Sequence, residues 1–396
     1  MRSTKKSAAG YALHFALRLA LAALIAVMAY YATEFWVLRS WSLLGAHVVE
    51  IVEIGSEVHR EPDESIPFRI VDVELLVRVL TGEQSGRFFS IVATQAGDGG
   101  PRLRRGGYYT LISDTFEDGS VQYSISDIFR IPYVISVIVL ACATLVAFAG
   151  RVGIMALLGL GLSIACLLWG FVPLAAQGVT PVPLAFVAVS FISLITIFCV
   201  VRRKQARGVA LLGTMGGIGA ACVIGYLVTG LWQLSGLAGN DAALLATTVV
   251  GIDMRGILLA SVIIGAIGAV LDVSISITAA MSELVEYDAA IKLSRLWNAG
   301  LRVGSEVLGS MINTLVLAYL GASMPMALLI SNAGADFIGL MNDQYISQEI
   351  VQSLAGTAGL ILTIPMTAAF FVLRENFSRR KAHEAQRIRH NGKVQE

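Results

Sequence analysis

One carboxylate, Asp272, stands inside "IIGAIGAVLDVSISITAAM" (263–281), a run otherwise composed for lipid or a packed core. A charge near the bilayer centre costs about 2.5–3.5 kcal/mol on insertion scales. Such a group is expected to face protein or a water cavity, where it can bind a proton, a cation or a polar solute. On a helical wheel Gly265, Gly268, Asp272, Ser276, Ala279 and Glu283 follow spacings of 3, 4, 4, 3 and 4, which makes one small and polar stripe. Further on, Arg302, Glu306, Gly309 and Asn313 repeat at 4, 3 and 4, with Thr314 beside them. At about 1.5 Å per residue, Asp272 lies about 14 Å from Met281 and Asn313 about 15 Å from Val303. If the two helices pack antiparallel, Asp272 and Asn313 meet near mid-membrane, with Ser276 and Thr314 as further oxygens. This is the candidate solute or ion site; the competing reading makes Asp272 a hydrogen-bonded strut of the bundle.

Two flanking pairs extend the candidate. "GIDMRG" (251–256) sets Asp253 and Arg255 at an outer mouth, as a helix cap with a neighbouring cation or as a gate. Arg302 and Glu306, four residues apart, form an inner mouth, where an interfacial ion pair is the expected arrangement.

Other chemistries lack their residues. There is no GxxxxGK[ST] segment, and the one Gly-Lys pair, Gly392-Lys393, is followed by Val394. "HEAQRIRH" (383–390) matches HExxH only in its first two letters, so no zinc site is expected. An intramembrane aspartyl protease needs a second deep aspartate, and Asp288 of Tyr287-Asp288 falls in a charged interfacial segment. Cys142, Cys166, Cys199 and Cys222 sit in apolar runs without metal-ligand spacing and read as small hydrophobes. No enzyme activity, cofactor or metal is expected.

The elements that must position these residues are membrane helices. The 396-residue chain is 56% hydrophobic and 14% charged, against about 25% charged in soluble domains. Apolar runs long enough for a bilayer core of about 30 Å occur at 12–37, 132–150, 152–175, 180–201, 208–234, 256–282, 303–321 and 350–373. The first lacks a cleavage signature and reads as a retained signal anchor, with Arg18 snorkelling to the interface. A net charge of +1 gives no cue to a nucleic-acid partner.

Basic residues recur at alternate boundaries: Arg2, Lys5 and Lys6; Arg151; Arg202, Arg203, Lys204 and Arg207; Lys292, Arg295 and Arg302; Arg374, Arg379, Arg380 and Lys381. The positive-inside rule therefore predicts both termini in the cytoplasm and residues 38–131 outside. That outer segment contains five β-branched and aromatic runs, "HVVEIVEIG", "PFRIVDVELLVRVL", "GRFFSIVAT", "GGYYTLISD" and "SVQYSISDIF", with a hairpin turn at Asp118-Gly119. Five strands predict a small OB-like barrel. The loop "QAGDGGPRLRRGG" (95–107), with Arg102, Arg104 and Arg105, reads as solvated rather than as a headgroup contact.

The expected fold is an α-helical polytopic membrane protein of about eight transmembrane helices, with this β-rich domain inserted between helices 1 and 2. Its parts are 1–37, the N-terminus and first helix; 38–131, the β domain; 132–373, seven helices; and 374–396, a basic tail. Residues 283–302 read as an amphipathic helix along the cytoplasmic interface, with Trp297 at headgroup level. The fifth run carries Gly213 and Gly217 as a close-packing face, and the eighth carries Gln352, Gly356, Gly359 and Thr363 before a kink at Pro365. No repeat joins 132–234 to 256–373, which gives no support to an inverted-repeat design.

Residues 251–284, "GIDMRGILLASVIIGAIGAVLDVSISITAAMSEL", and 305–325, "SEVLGSMINTLVLAYLGASMP", together resemble the YibE/F-like family of multi-pass bacterial membrane proteins. The likeness extends to "YSISDIFRIP" (123–132), where a β-rich segment leads into the second helix. The resemblance implies eight helices and a bacterial plasma membrane, and it implies no substrate. Function rests on the site: a secondary transporter or permease for a small polar or ionic solute, or alternatively a membrane scaffold whose β domain binds a protein, lipid or envelope partner. The bilayer is the one certain partner.

Overall fold

The computed structural model describes residues 2–40, 46–60, 70–82, 85–96, 103–115, 121–201, 203–249, 251–332, 334 and 337–393. They form two compact units, Met1–Ile154 and Met155–Glu396. Among the described residues eight helices are long and apolar enough to cross a membrane, which is the architecture of a multi-pass membrane protein. Asp118-Gly119 and Arg102 lie outside the described residues.

In the first unit, α1 (Arg2–Ser40) and α2 (Ile131–Ala149) flank in sequence a five-stranded antiparallel sheet. The strands are β1 (Ala46–Arg60), β2 (Ile70–Val79), β3 (Phe88–Ala96), β4 (Tyr108–Thr115) and β5 (Val121–Ile128), in the order β3-β2-β1-β4-β5. Alternation explains the sheet: Val73, Leu75, Val77 and Val79 turn inward along β2 and pack on Val49, Ile51, Ile91 and Leu111. Register shifts at Ile51/Glu53 and Ile54/Glu57 bend the long β1. The edges β3 and β5 approach, with the Phe89 and Tyr123 rings 5.0 Å apart, but no ladder joins them and the barrel is not closed.

The described end of the 95–107 loop is tied to the sheet. Gly106 N donates to Ile51 O at 2.8 Å, and Arg104 N donates to the Tyr109 hydroxyl at 2.9 Å, while the Arg104 and Arg105 side chains stay exposed. Arg18 donates to Ala147 O at 3.0 Å, where the last carbonyls of α2 carry partial negative charge.

The second unit is a helical bundle. Its first span joins α3 (Arg151–Ala165), a π-helical turn at Cys166–Phe171 and α4 (Val172–Ala176). Pro173 follows that turn, and the wider π turn makes room for a ring that a regular helix would clash with. Next come α5 (Pro181–Val200), α6 (Lys204–Leu231), α7 (Asn240–Thr248), α8 (Met254–Tyr287), α9 (Leu293–Asn332), α10 (Phe337–Asn342) and α11 (Gln344–Lys393).

Helix α8 is the bundle's centre, packed by α5, α6, α9 and α11. Leu259, Ile263, Ala266, Val270, Val273, Ile277 and Met281 form its buried stripe at helical spacing. Lipid is as apolar as these side chains, so the bundle is held by close packing and hydrogen bonds more than by hydrophobic burial. The α6–α11 seam has no room for a side chain: a Cβ at Gly217 would lie 3.0 Å from Gly359 O, and one at Gly359 would lie 2.8 Å from Gly217 O. Both helices approach there backbone to backbone, as the glycine pattern predicts. Helix α11 continues through Pro365, and α9 through Pro325.

One expected element is absent. Residues 283–302 are not a separate interfacial helix: α8 runs to Tyr287, the chain turns, and α9 begins at Leu293. Trp297, near the start of α9, packs on the bundle core. The apolar positions that suggest an amphipathic helix are the last turn of one long helix and the first turns of the next.

Candidate functional site

Asp272 sits at mid-length of α8, but on the face turned away from the bundle core. Gly265, Gly268, Asp272, Ala279 and Glu283 are all exposed and Ser276 is partly so; the predicted stripe is continuous and points outward. The matching stripe of α9 points outward too, since Arg302, Glu306, Gly309, Asn313 and Thr314 are exposed. The two helices do run antiparallel, as the depth argument requires. Their seam, however, is made by Gly300 against Met281, Gly304 against Ile277 and Gly265 against Tyr319. Asp272 and Asn313 therefore do not meet across it, and no hydrogen bond or ion pair joins them. Thr314 Oγ1 donates to Ser310 O at 3.0 Å, within its own helix.

The polar groups that α8 turns inward are Ser274 and Thr278, each within two residues of an expected site residue but on the opposite face. Two residues advance a helix by about 200°. Ser274 Oγ donates to Ala210 O of α6 at 2.8 Å, and Thr367 Oγ1 of α11 donates to Ser274 Oγ at 3.3 Å. Thr214 Oγ1 donates to the same Ala210 carbonyl at 2.8 Å. These buried hydroxyls stitch α6, α8 and α11 where the glycine seam brings them close.

Asp253 and Arg255, the pair expected at an outer mouth, lie together at the end of the bundle where α8 starts. Asp253 Oδ1 accepts from Gly256 N at 2.8 Å and so caps α8, satisfying an amide that the first turn leaves free. The Arg255 guanidinium lies 5.7 Å from the centre of the Tyr226 ring on α6. Both residues line a cavity of about 430 Å3 with Val182, Cys222 and Leu259. At the other end Arg203 pairs with Glu286, and Arg379 Nη1 donates to Ile291 O at 2.8 Å. Arg302 and Glu306, the expected inner-mouth pair, are exposed and form no ion pair with each other. Their side chains extend into open surroundings where a surface pair gains little.

A further carboxylate escapes the sequence reading. Glu349 lies five residues into α11, one residue before the apolar run read at 350–373. It lines a cavity of about 260 Å3 between α9 and α11, beside Tyr319, Ser323 and Ser353. The spacing of Ile346, Ile350 and Leu354 is the signal that the helix starts earlier and carries Glu349 with it. A polar cavity of about 650 Å3 adjoins at the same end, lined by Trp232, Gln233, Ser235 and Gln344, and Met341 belongs to both.

Among the described residues no group of His, Cys, Asp and Glu is arranged to hold a metal ion. The four cysteines are free and half-buried.

No curated protein and no solved structure matches the chain. The family model of the YibE/F-like proteins matches residues 137–376, from the second membrane helix into the last. The match covers more than half of the 396 residues, and the chain belongs to the YibE/F-like family.

Proposed function

We propose that the protein is a secondary transporter or permease for a small polar or ionic solute, with Asp272 as its coupling group, Ser276 on the same face of α8, and Asn313 and Thr314 as further polar groups on the outward face of α9. The observation that carries this reading is a carboxylate at mid-span on a continuous small and polar face of α8, with α9 carrying a polar face of its own. A helix that served only as an anchor would gain about 2.5–3.5 kcal/mol by placing an apolar residue there. Keeping the charge is reasonable where water, a proton or a passing solute meets that face. In this reading the chain sits in a bacterial plasma membrane with both termini cytoplasmic and residues 38–131 outside. The basic ends of the bundle, at Arg203, Arg207, Arg302 and Arg379, support the orientation.

The test is reconstitution of the full chain into proteoliposomes, with currents recorded on a solid-supported membrane after proton and sodium concentration jumps. Wild-type protein is expected to give currents that Asp272→Asn abolishes and Asp272→Glu partly keeps. Equal currents from wild type and Asp272→Asn, or none above empty liposomes, would sink the reading.

A second reading is favoured by the sheet. Its strand order is that of an OB-like roll, and Val58, Phe88 and Val92 are exposed on β1 and β3. Phe88 and Val92 stand on the edge strand β3, and apolar side chains on an edge suit a protein or envelope partner, with the helices as scaffold. Loss of function on Phe88→Ser with unchanged currents would select this alternative.

A further inference from the structure

The cavity between α9 and α11 joins one acidic group to apolar walls. Glu349 is half-buried, and no described residue gives it a hydrogen bond or an ion-pair partner. The other titratable group on the lining is Tyr319, and no Lys, Arg or His reaches it. The serines add little: Ser323 Oγ already donates to Tyr319 O at 3.0 Å. Val316, Leu320 and Leu354 form the walls.

Depth orders these groups. The antiparallel register of α9 and α11, set by Gly304 beside Ile364 and Gly356 beside Leu315, puts Val316 near the level of Leu354 and Ser323 near that of Ile346. Glu349 thus stands about 8 Å along α11 from its first residue, and the apolar walls continue about 8 Å deeper to Leu354. Glu349 and Tyr319 stand mid-cavity, with Met341, Ala327 and Ile346 toward the neighbouring polar cavity and Val316 and Leu354 at the other end.

We propose that this cavity is a binding site for a small amphiphilic organic cation, an alkyl- or arylammonium, whose charged nitrogen pairs with Glu349 and whose apolar body lies along Val316, Leu320 and Leu354. None of its lining residues belongs to the Asp272 face, which Tyr319 touches only at Gly265. An unpaired carboxylate in apolar surroundings calls for a positive charge. A metal ion would need several oxygens around it, whereas an ammonium with an apolar body uses both the carboxylate and the walls. The Tyr319 ring supplies the face that quaternary ammonium groups favour. Its hydroxyl packs against Gly265 of α8, where any Cβ would overlap it, which makes Gly265 a positioning residue for the ring. At about 260 Å3 the cavity falls just below the roughly 300 Å3 at which drug-sized pockets begin, so a short ammonium fits and a whole lipid does not.

The experiment is equilibrium dialysis of hexyltrimethylammonium against the full-length protein in zwitterionic-lipid nanodiscs, with empty nanodiscs as the blank. Hexanol and hexanesulfonate serve as the neutral and anionic analogues. Saturable binding of the cation is expected, with both analogues weaker by about tenfold or more, the scale of one charge-assisted contact. Glu349→Gln is expected to lose a similar factor while Glu349→Asp keeps most of the affinity. Gly265→Ala, which displaces the Tyr319 ring, is expected to weaken the quaternary ammonium more than hexanol. The proposal is overturned if the cation does not bind above the blank, if hexanol binds as tightly on wild-type protein, or if Glu349→Gln binds the cation unchanged. The analogue comparison needs no variant, so it decides even if Glu349→Gln fails to fold, and it is independent of the currents that test Asp272.

Discussion

Replacing Gly217 by alanine should destabilise the bundle, while the same change at Gly219, two residues on in the same helix, should not. A Cβ on Gly217 would overlap Thr363 Oγ1 and lie 3.0 Å from Gly359 O. Thr363 is fully buried, and its hydroxyl donates to Gly359 O at 2.7 Å. Rotating it away strands a buried hydroxyl, at about 1–3 kcal/mol. Pushing α6 from α11 instead costs about 1–3 kcal/mol, typical of an overfilled core. Against this, alanine in place of glycine gains about 1 kcal/mol of helix propensity. The net loss at Gly217 is then about 0–2 kcal/mol. At Gly219 nothing lies within 4 Å of the new Cβ, so only the propensity gain of about 1 kcal/mol remains. The two variants should differ by about 1–3 kcal/mol, with Gly217→Ala the less stable. The assay is reversible unfolding in one detergent–lipid mixture, followed by tryptophan fluorescence and reported as midpoints against wild type. If Gly217→Ala matches Gly219→Ala, the helices do not touch backbone to backbone at this point and the seam is wrong. Gly213→Ala, meeting Thr367 and Ser274, should follow Gly217→Ala.

Other outcomes follow from the same geometry. Asp272→Leu should fold normally and be as stable as wild type or up to about 3 kcal/mol more so, because the side chain has no protein partner, while the currents assigned to the site disappear; a collapse in expression and unfolding midpoint would instead mark Asp272 as a structural strut. Asp253→Ala should cost about 1 kcal/mol through the lost cap of α8, with Asp253→Asn close to wild type in the same unfolding assay. The hydrogen bond from Arg130 holds the Asp127 carboxyl below its usual range, with the Ile128 amide assisting. Its folded value is depressed, so its small contribution is present above about pH 4 and is lost as pH falls through the folded value. The unfolding midpoint of Asp127→Asn should therefore converge on that of wild type on acidification below about pH 4, and parallel curves would refute the pairing.

Much of the architecture is local and was legible as such. Eight apolar runs became eight long helices, and five β-branched runs became five strands, because run length and alternation depend on near neighbours along the chain. The cap at Asp253 and the glycine seam at Gly213 and Gly217 are local signals of the same kind. Barrel closure was not legible, since β3 and β5 meet or miss through the accumulated twist and bend of the whole sheet. The stretch 283–302 misled because a turn between two long helices leaves the same apolar periodicity as one amphipathic helix.

By itself, the sequence determined the span count, the strands and the place of Asp272 midway along its helix, all of which follow from residue order along the chain. Which way each helix faces was decided only by tertiary structure. In water an amphipathic stripe announces the buried side, but in lipid the surroundings of α8 are apolar whichever way it turns, and the hydrophobic effect does not choose its facing. The choice fell to close packing: Ser274, flanked by the glycines of α6 and the threonines of α11, turned inward, and Asp272, two residues away, turned out. The cavity at Glu349 is tertiary for the same reason, since it exists where α9 and α11 part beyond their contact at Gly356.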